Sequence, residues 1–154
     1  MAEAGEFELG TDGPRVILVG VDDTVTSQRA AAYAAGLARR QGAKLVIVYV
    51  EQFSPMLGAS AVAAPGAIAA EQQALEEQAA SLRDRVAEAA DRIGLPMTFI
   101  AAHGDPYHEI RRIADEVCAD AVVVGASTRA DHRLIGSIAV RLVRAGRWPV
   151  TVVP

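Results

Sequence analysis

A single cysteine, Cys118, rules out a disulfide within the chain and any cysteine-based zinc cluster, and its place at the end of an expected helix favours a buried thiol. Lysine is equally scarce: Lys44 is the sole one, and every other basic side chain is an arginine or a histidine. A phosphate loop reading G-x-x-x-x-G-K-[ST] is therefore absent, since Lys44 opens a strand-like segment instead of closing a glycine loop. No G-x-S-x-G nucleophile elbow occurs, which argues against serine hydrolase chemistry at Ser127, Thr128 or Ser137. His103, His108 and His132 share no helical i, i+4 spacing, and no cysteine or paired carboxylate completes a metal set with them, so they read as surface or loop histidines. A positive charge balance is missing too: the net charge of −4 and the pI near 5.3 argue against nucleic acid as a partner. No uninterrupted apolar run reaches the roughly 18 residues of a membrane-spanning helix, and Met1-Ala2-Glu3-Ala4-Gly5-Glu6 lacks the positive region of a signal peptide. A cytoplasmic protein without a membrane partner is the expectation.

What is present is alanine-rich apolar sequence in a regular order. Hydrophobic residues make up 51% of the 154, enough for one core, and the length is too short for two ordinary domains. Residues 1–14 carry no hydrophobic period, and Glu6-Phe7-Glu8-Leu9-Gly10-Thr11 reads like a translated cloning polylinker. A disordered or cloning-derived leader is therefore expected before a domain spanning residues 15–154. Val16 to Val21 and Leu45 to Val50 are largely β-branched runs without polar alternation, as strands covered on both faces require. Between them Thr24, Thr26 and Ser27 offer helix caps, Ala30, Tyr33, Ala34 and Leu37 recur at helical spacing, and Gly42 supplies a left-handed stop. Gln52 to Gly66 has no period and reads as a mobile loop. Leu75, Ala79, Leu82, Val86, Ala89 and Ile93 then form the apolar stripe of a long helix ended by Gly94 and Pro96. Met97 to Ala102 is a third strand, and Asp105-Pro106 opens a helix carrying Ile110, Ile113, Ala114 and Val117. Ala121 to Val124 is a fourth strand, Ser137 to Ala145 a helix closed by Gly146, and Val150 to Val153 a last strand. Strands alternating with helices imply right-handed crossovers and a mostly parallel sheet covered on both faces, an α/β fold.

In such sheets ligands sit beyond the carboxyl ends of the strands, where the winding reverses. The residues at those ends are Asp22, Glu51, His103 to Asp105, and Gly125 to Ser137. Gly136-Ser137 stands at the start of a helix, where unpaired N–H groups, the helix dipole and a hydroxyl can face a phosphate. Taken alone, the pair also has a plainer explanation as a turn and a helix cap. Asp22 is likewise open to two readings: an acceptor for a nucleobase, a ribose or a metal, or a helix-capping carboxylate.

Five segments carry a resemblance: Val16-Ile17-Leu18-Val19-Gly20-Val21-Asp22, Gly104-Asp105-Pro106, Ala119-Asp120-Ala121-Val122-Val123-Val124-Gly125, Ile135-Gly136-Ser137, and Trp148-Pro149-Val150-Thr151-Val152-Val153. In that order they resemble a universal stress protein domain over nearly the whole of Arg15 to Pro154. The resemblance implies an open five-stranded parallel sheet of order 3-2-1-4-5, Rossmann-like and akin to the adenine-nucleotide α-hydrolases, with Asp22 and Gly125 facing each other across the reversal. It implies that ATP or a related adenine nucleotide binds, with the base held at Asp22 and Val50 and with Gly104 and Ile138 also at the site. Phosphates, with Mg²⁺ if phosphates are bound, fall to a G-x2-G-x9-G-[ST] loop. Gly125 matches its first glycine and Gly136-Ser137 its final pair, whereas Thr128 replaces the second glycine and the spacer Arg129 to Ile135 is two residues short. Ser127, the Thr128 hydroxyl, Arg129 and Arg133 remain as phosphate donors. AMP, cyclic AMP or no nucleotide at all are compatible with the altered loop. A homodimer through the last strand is a further implication, and an unpaired apolar edge at Val150 to Val153 makes such pairing physically reasonable.

The leading expectation is thus a homodimeric stress-response protein that binds an adenine nucleotide and signals through conformation, any hydrolysis being slow and incidental. A nucleotide-free dimer that engages an unidentified protein partner through its long helix and the Gln52 to Gly66 loop comes second. A phosphoacceptor receiver domain is third, because Val21-Asp22-Asp23 resembles the acidic pair of such domains but no lysine follows the last strand.

Overall fold

The computed structural model describes residues 13–22, 24–52, 65–127 and 138–154. Within them five strands, β1 (Val16–Val21), β2 (Lys44–Glu51), β3 (Met97–His103), β4 (Ala121–Gly125) and β5 (Val150–Val153), alternate with four helices, α1 (Val25–Gln41), α2 (Pro65–Ile93), α3 (Pro106–Glu116) and α4 (Ile138–Ala145). All strand pairs are parallel and the sheet order is β3-β2-β1-β4-β5, as the resemblance implies. Receiver domains of the flavodoxin-like type wind 2-1-3-4-5, so the sheet order itself sets that reading aside.

The unbroken apolar runs are explained by two cores, one on each face of the sheet. Ile17 and Val19 of β1 point toward Ala30, Ala34 and Ala38 of α1, while Leu18 between them points toward Ile110, Ile113 and Ala114 of α3 and Leu142 of α4. Each of these side chains is almost wholly excluded from water, and burying one of the larger ones stabilises the fold by about 1.5–3 kcal/mol. The expected α1 stripe needs one correction: Tyr33 is 43% exposed. The face that meets the sheet runs Ala30-Ala34-Ala38, and Tyr33 stands on its flank, where a large ring has room. Of the expected α2 stripe only Ala79 is buried and Ile93 is exposed, because α2 lies against β3, an edge strand that covers only part of a helix face. There Arg83 lays its guanidinium over the Phe99 ring, 5.6 Å from its centre.

Local chemistry sets the helix limits. Thr24 caps α1, its side chain accepting from the Ser27 N–H, and Gly42 ends the helix with φ 64° while its N–H reaches back to the carbonyls of Ala38 and Arg39. Asp105 caps α3 by accepting from the His108 N–H, with Pro106 in the first turn. Cys118 departs from expectation: it is exposed and has φ 51°. The chain reverses there so that Ala119 N–H can reach the Ala114 carbonyl, and that reversal turns the thiol outward. Helix α2 begins at Pro65 and so claims the last two residues of the segment read as a loop. The stretch 53–64 of that segment lies outside the described residues, as do residues 1–12 of the expected leader and Ser137, read as the start of the last helix.

Leu18→Ala should lower the unfolding free energy by about 2–5 kcal/mol in urea titrations, through lost burial and a cavity between the sheet and α3. Gly42→Ala, whose added Cβ meets no atom within 4 Å, should lose only about 1–2 kcal/mol, from the left-handed backbone alone.

Candidate functional site

The site is generated by a parting of strands. β1 pairs with β2 over its full length, from Val16↔Lys44 to Val21↔Tyr49, but with β4 only from Ile17↔Ala121 to Val19↔Val123. Beyond that point β1 and β4 diverge, and the helices that follow them, α1 and α4, pack on opposite faces, which opens a crevice at the reversal of the sheet. The crevice has a volume of about 530 Å³, within the usual range for small-molecule sites.

Its floor is the first turn of α1, tied down by short polar side chains. Asp22 Oδ1 accepts from both the N–H and the hydroxyl of Thr24. The Ser27 hydroxyl accepts from the Asp22 N–H and donates to the Asp22 carbonyl. The Thr26 hydroxyl donates across the crevice to the Ala126 carbonyl at 2.8 Å. Asp22 does not cap α1, a role that Thr24 fills; its Oδ1 instead holds the Thr24 N–H and hydroxyl ahead of the helix, while among the described residues Oδ2 accepts no hydrogen bond.

Gly125 faces this turn from β4. A Cβ at that position would stand 2.7 Å from Ser27 N and 2.7 Å from the Thr26 carbonyl carbon, distances that no side chain tolerates against rigid backbone. The glycine is thus demanded by the approach of α1 to β4, whatever occupies the crevice. One wall is apolar, from Val48, Tyr49 and Val50 of β2 to Pro106 and Ile110 of α3. The charged groups of the described lining are Asp22, Asp105 and Arg141.

Of the residues singled out from the sequence, Asp22, Val50, Gly125, Ser127 and Ile138 line the crevice together. Gly104 is not among the lining residues: it occupies the β3–α3 turn with φ 132°, and its N–H donates to the Glu51 carbonyl. Thr128, Arg129, Arg133, Gly136 and Ser137 lie outside the described residues. Glu51, inspected as a strand-end residue, is 3% exposed and is not among the crevice lining, with its Oε2 2.7 Å from His103 Nδ1. His103 is the last residue of β3, exposed as expected.

Sequence reading missed three contributors. Leu75 was assigned to the core stripe of α2 but lines the crevice, Asp105 was named among the strand-end residues yet given no role beyond a helix cap, and Arg141 was not singled out. A signal for Arg141 existed: it follows Ser137 by four residues, the spacing that places two side chains on one helix face. Its guanidinium carbon lies over the Tyr107 ring, 4.0 Å from its centre, with Nη1 3.4 Å from each carboxylate oxygen of Asp105.

A parallel 3-2-1-4-5 sheet with its crevice at the β1–β4 reversal places the chain among open, Rossmann-like α/β proteins. The sequence profile of the universal stress protein family matches residues 14–154, and the chain belongs to that family. It is 28% identical over 139 residues to the universal stress protein MJ0531 of Methanocaldococcus jannaschii, covering 89% of this chain and 80% of that one. Among solved structures it resembles a universal stress family protein from Burkholderia pseudomallei, with 26% identity, a TM-score of 0.68, and 91% and 96% of the two chains covered. A universal stress protein in complex with cAMP shares the fold at 23% identity and a TM-score of 0.67, again over 91% of this chain and 96% of that one.

Gly125→Ala should lower stability by about 1–3 kcal/mol, measured by denaturant unfolding of the protein without any added ligand. A loss that appears only in ligand binding, with stability unchanged, would contradict the packing role of this glycine.

Proposed function

We propose that this universal stress protein binds an adenine nucleotide in the β1–β4 crevice, ATP being the first candidate and AMP and cyclic AMP the others, and that it acts in the stress response through conformation or partner binding. The observation that carries the reading is the combination at one point of an apolar wall suited to a base, a carboxylate oxygen of Asp22 with no partner among the described residues, and the hydroxyls of the α1 turn opposite Gly125. The fold shared with a universal stress protein in complex with cAMP supports the same ligand class.

In this reading the base packs against Val50 and donates to Asp22, while the triphosphate extends toward Ser127 and Ile138. Gly104 contributes through its turn, and Thr128, Arg129, Arg133, Gly136 and Ser137 complete the phosphate side. Among the described residues no group of three His, Cys, Asp or Glu side chains is placed to hold a metal ion. Mg²⁺ would accordingly arrive on the phosphates, as it commonly does. In this reading any hydrolysis is slow and incidental.

The proposal extends to the cytoplasm and to a homodimer. No helix among the described residues is long and apolar enough to cross a membrane. β5 is an edge strand of the sheet and exposes Val152 to 42%, which favours pairing with a second copy. A nucleotide-free interaction module is the second reading, favoured by one observation: two carboxylates against one guanidinium make the described lining net negative, unfavourable to an anion.

Calorimetry with ATP, AMP, cyclic AMP and adenosine separates the two. At least one phosphorylated ligand should bind, and Asp22→Asn, which retains an acceptor for Thr24 but removes the charge, should weaken it about tenfold. Protein that takes up none of the four ligands would leave the interaction module as the function.

A further inference from the structure

Arg141 is held in a manner that suits exchange. Its Nη1 lies 3.4 Å from both Asp105 oxygens, longer than the roughly 2.7–2.9 Å of a strong charge-assisted bond. Its Nη2 lies 3.5 Å from His108 Nε2, equally long. The guanidinium carbon also lies over the Tyr107 ring, 4.0 Å from its centre. That cation–π contact holds the guanidinium over the ring and leaves its N–H donors able to turn toward a new acceptor. The side chain is 35% exposed and belongs to the crevice lining.

Asp105 does not depend on this arginine. Its Oδ1 accepts the His108 N–H at 3.0 Å as the cap of α3, so the carboxylate keeps a backbone partner if Arg141 leaves. An anion entering the crevice thus meets a pre-oriented guanidinium whose internal partner binds it weakly and is separately satisfied.

We propose that Arg141 determines the selectivity of the crevice for phosphorylated ligands, exchanging Asp105 for a ligand phosphate oxygen, and that Asp105 is a built-in competitor which lowers affinity for any anion. The inference rests on the nucleotide reading above. It adds what that reading lacks, a described cation for the phosphate and a reason why a net-negative lining can accept one. The Tyr107 ring serves as the platform on which the guanidinium swings.

The test compares AMP with adenosine by calorimetry on the full chain, because adenosine reports the same crevice without the phosphate. Arg141→Met, which keeps an apolar stem on Tyr107, should reduce the AMP-to-adenosine affinity ratio about tenfold, and Arg141→Lys should restore part of it. Asp105→Asn, which preserves a helix-capping oxygen, should raise the ratio. An unchanged ratio in Arg141→Met, a parallel loss of AMP and adenosine binding, or a ratio that falls in Asp105→Asn overturns the inference and leaves the nucleotide reading standing. Wild-type protein that binds none of ATP, AMP, cyclic AMP and adenosine overturns the nucleotide reading and, with it, this one.

Discussion

The first turn of α1 lies so close to the end of β4 that a methyl group on residue 125 would collide with the Ser27 nitrogen and the Thr26 carbonyl carbon. Much else follows from that contact. It lets the Thr26 hydroxyl reach the Ala126 carbonyl, so the helix start is bonded to the strand on the far side of the crevice. It also matches the small side chains of α1, since Ala30, Ala34 and Ala38 pack the rest of the helix against Ile17, Val19 and Val123 of β1 and β4. A parallel sheet divides its crossovers between two faces, and at the β1–β4 reversal a helix start and a strand end must share one space. Glycine on one side and hydroxyl side chains on the other are the solution adopted here.

The polar groups of the crevice divide into those that build it and those left over. Thr24, Thr26 and Ser27 spend their hydroxyls on backbone and on Asp22, which makes a rigid floor but leaves them few donors for a ligand. Asp22 retains one oxygen, and Arg141 is held only by long contacts. These two groups, on opposite sides of the reversal, differ in sign, as the proposed recognition of a base at one end and an anion at the other requires. Preorganisation of the floor also removes an entropic penalty that binding would otherwise incur.

How far the sequence could be read depended on whether the information was local. The β-branched runs from Val16 and Leu45, the cap at Asp105 and the left-handed stop at Gly42 all act within a few residues, and each is found where expected. Burial of Tyr33 and Cys118 was misjudged because it depends on how a helix is rotated against a sheet and on where the chain reverses after α3, neither of which a single periodic stripe encodes. Leu75 shows the same limit, its spacing being that of a core residue although the helix carries it past the sheet to the crevice.

By itself the sequence determined the alternation of strands and helices, their caps, the two-faced burial of the central strands and the presence of acceptors and glycines at the strand ends. It also carried the family resemblance that points to the sheet order. Only the tertiary structure decided which of those strand-end residues meet. It brought Asp22, Val50, Gly125, Ser127 and Ile138 to one crevice, left Gly104 and Glu51 out of the lining and added Arg141 through Asp105. The physical reason is that hydrogen bonding and hydrophobic period act along the chain, whereas strand divergence, helix approach and long-range ion pairing depend on distances between segments about a hundred residues apart, such as Thr26 and Ala126.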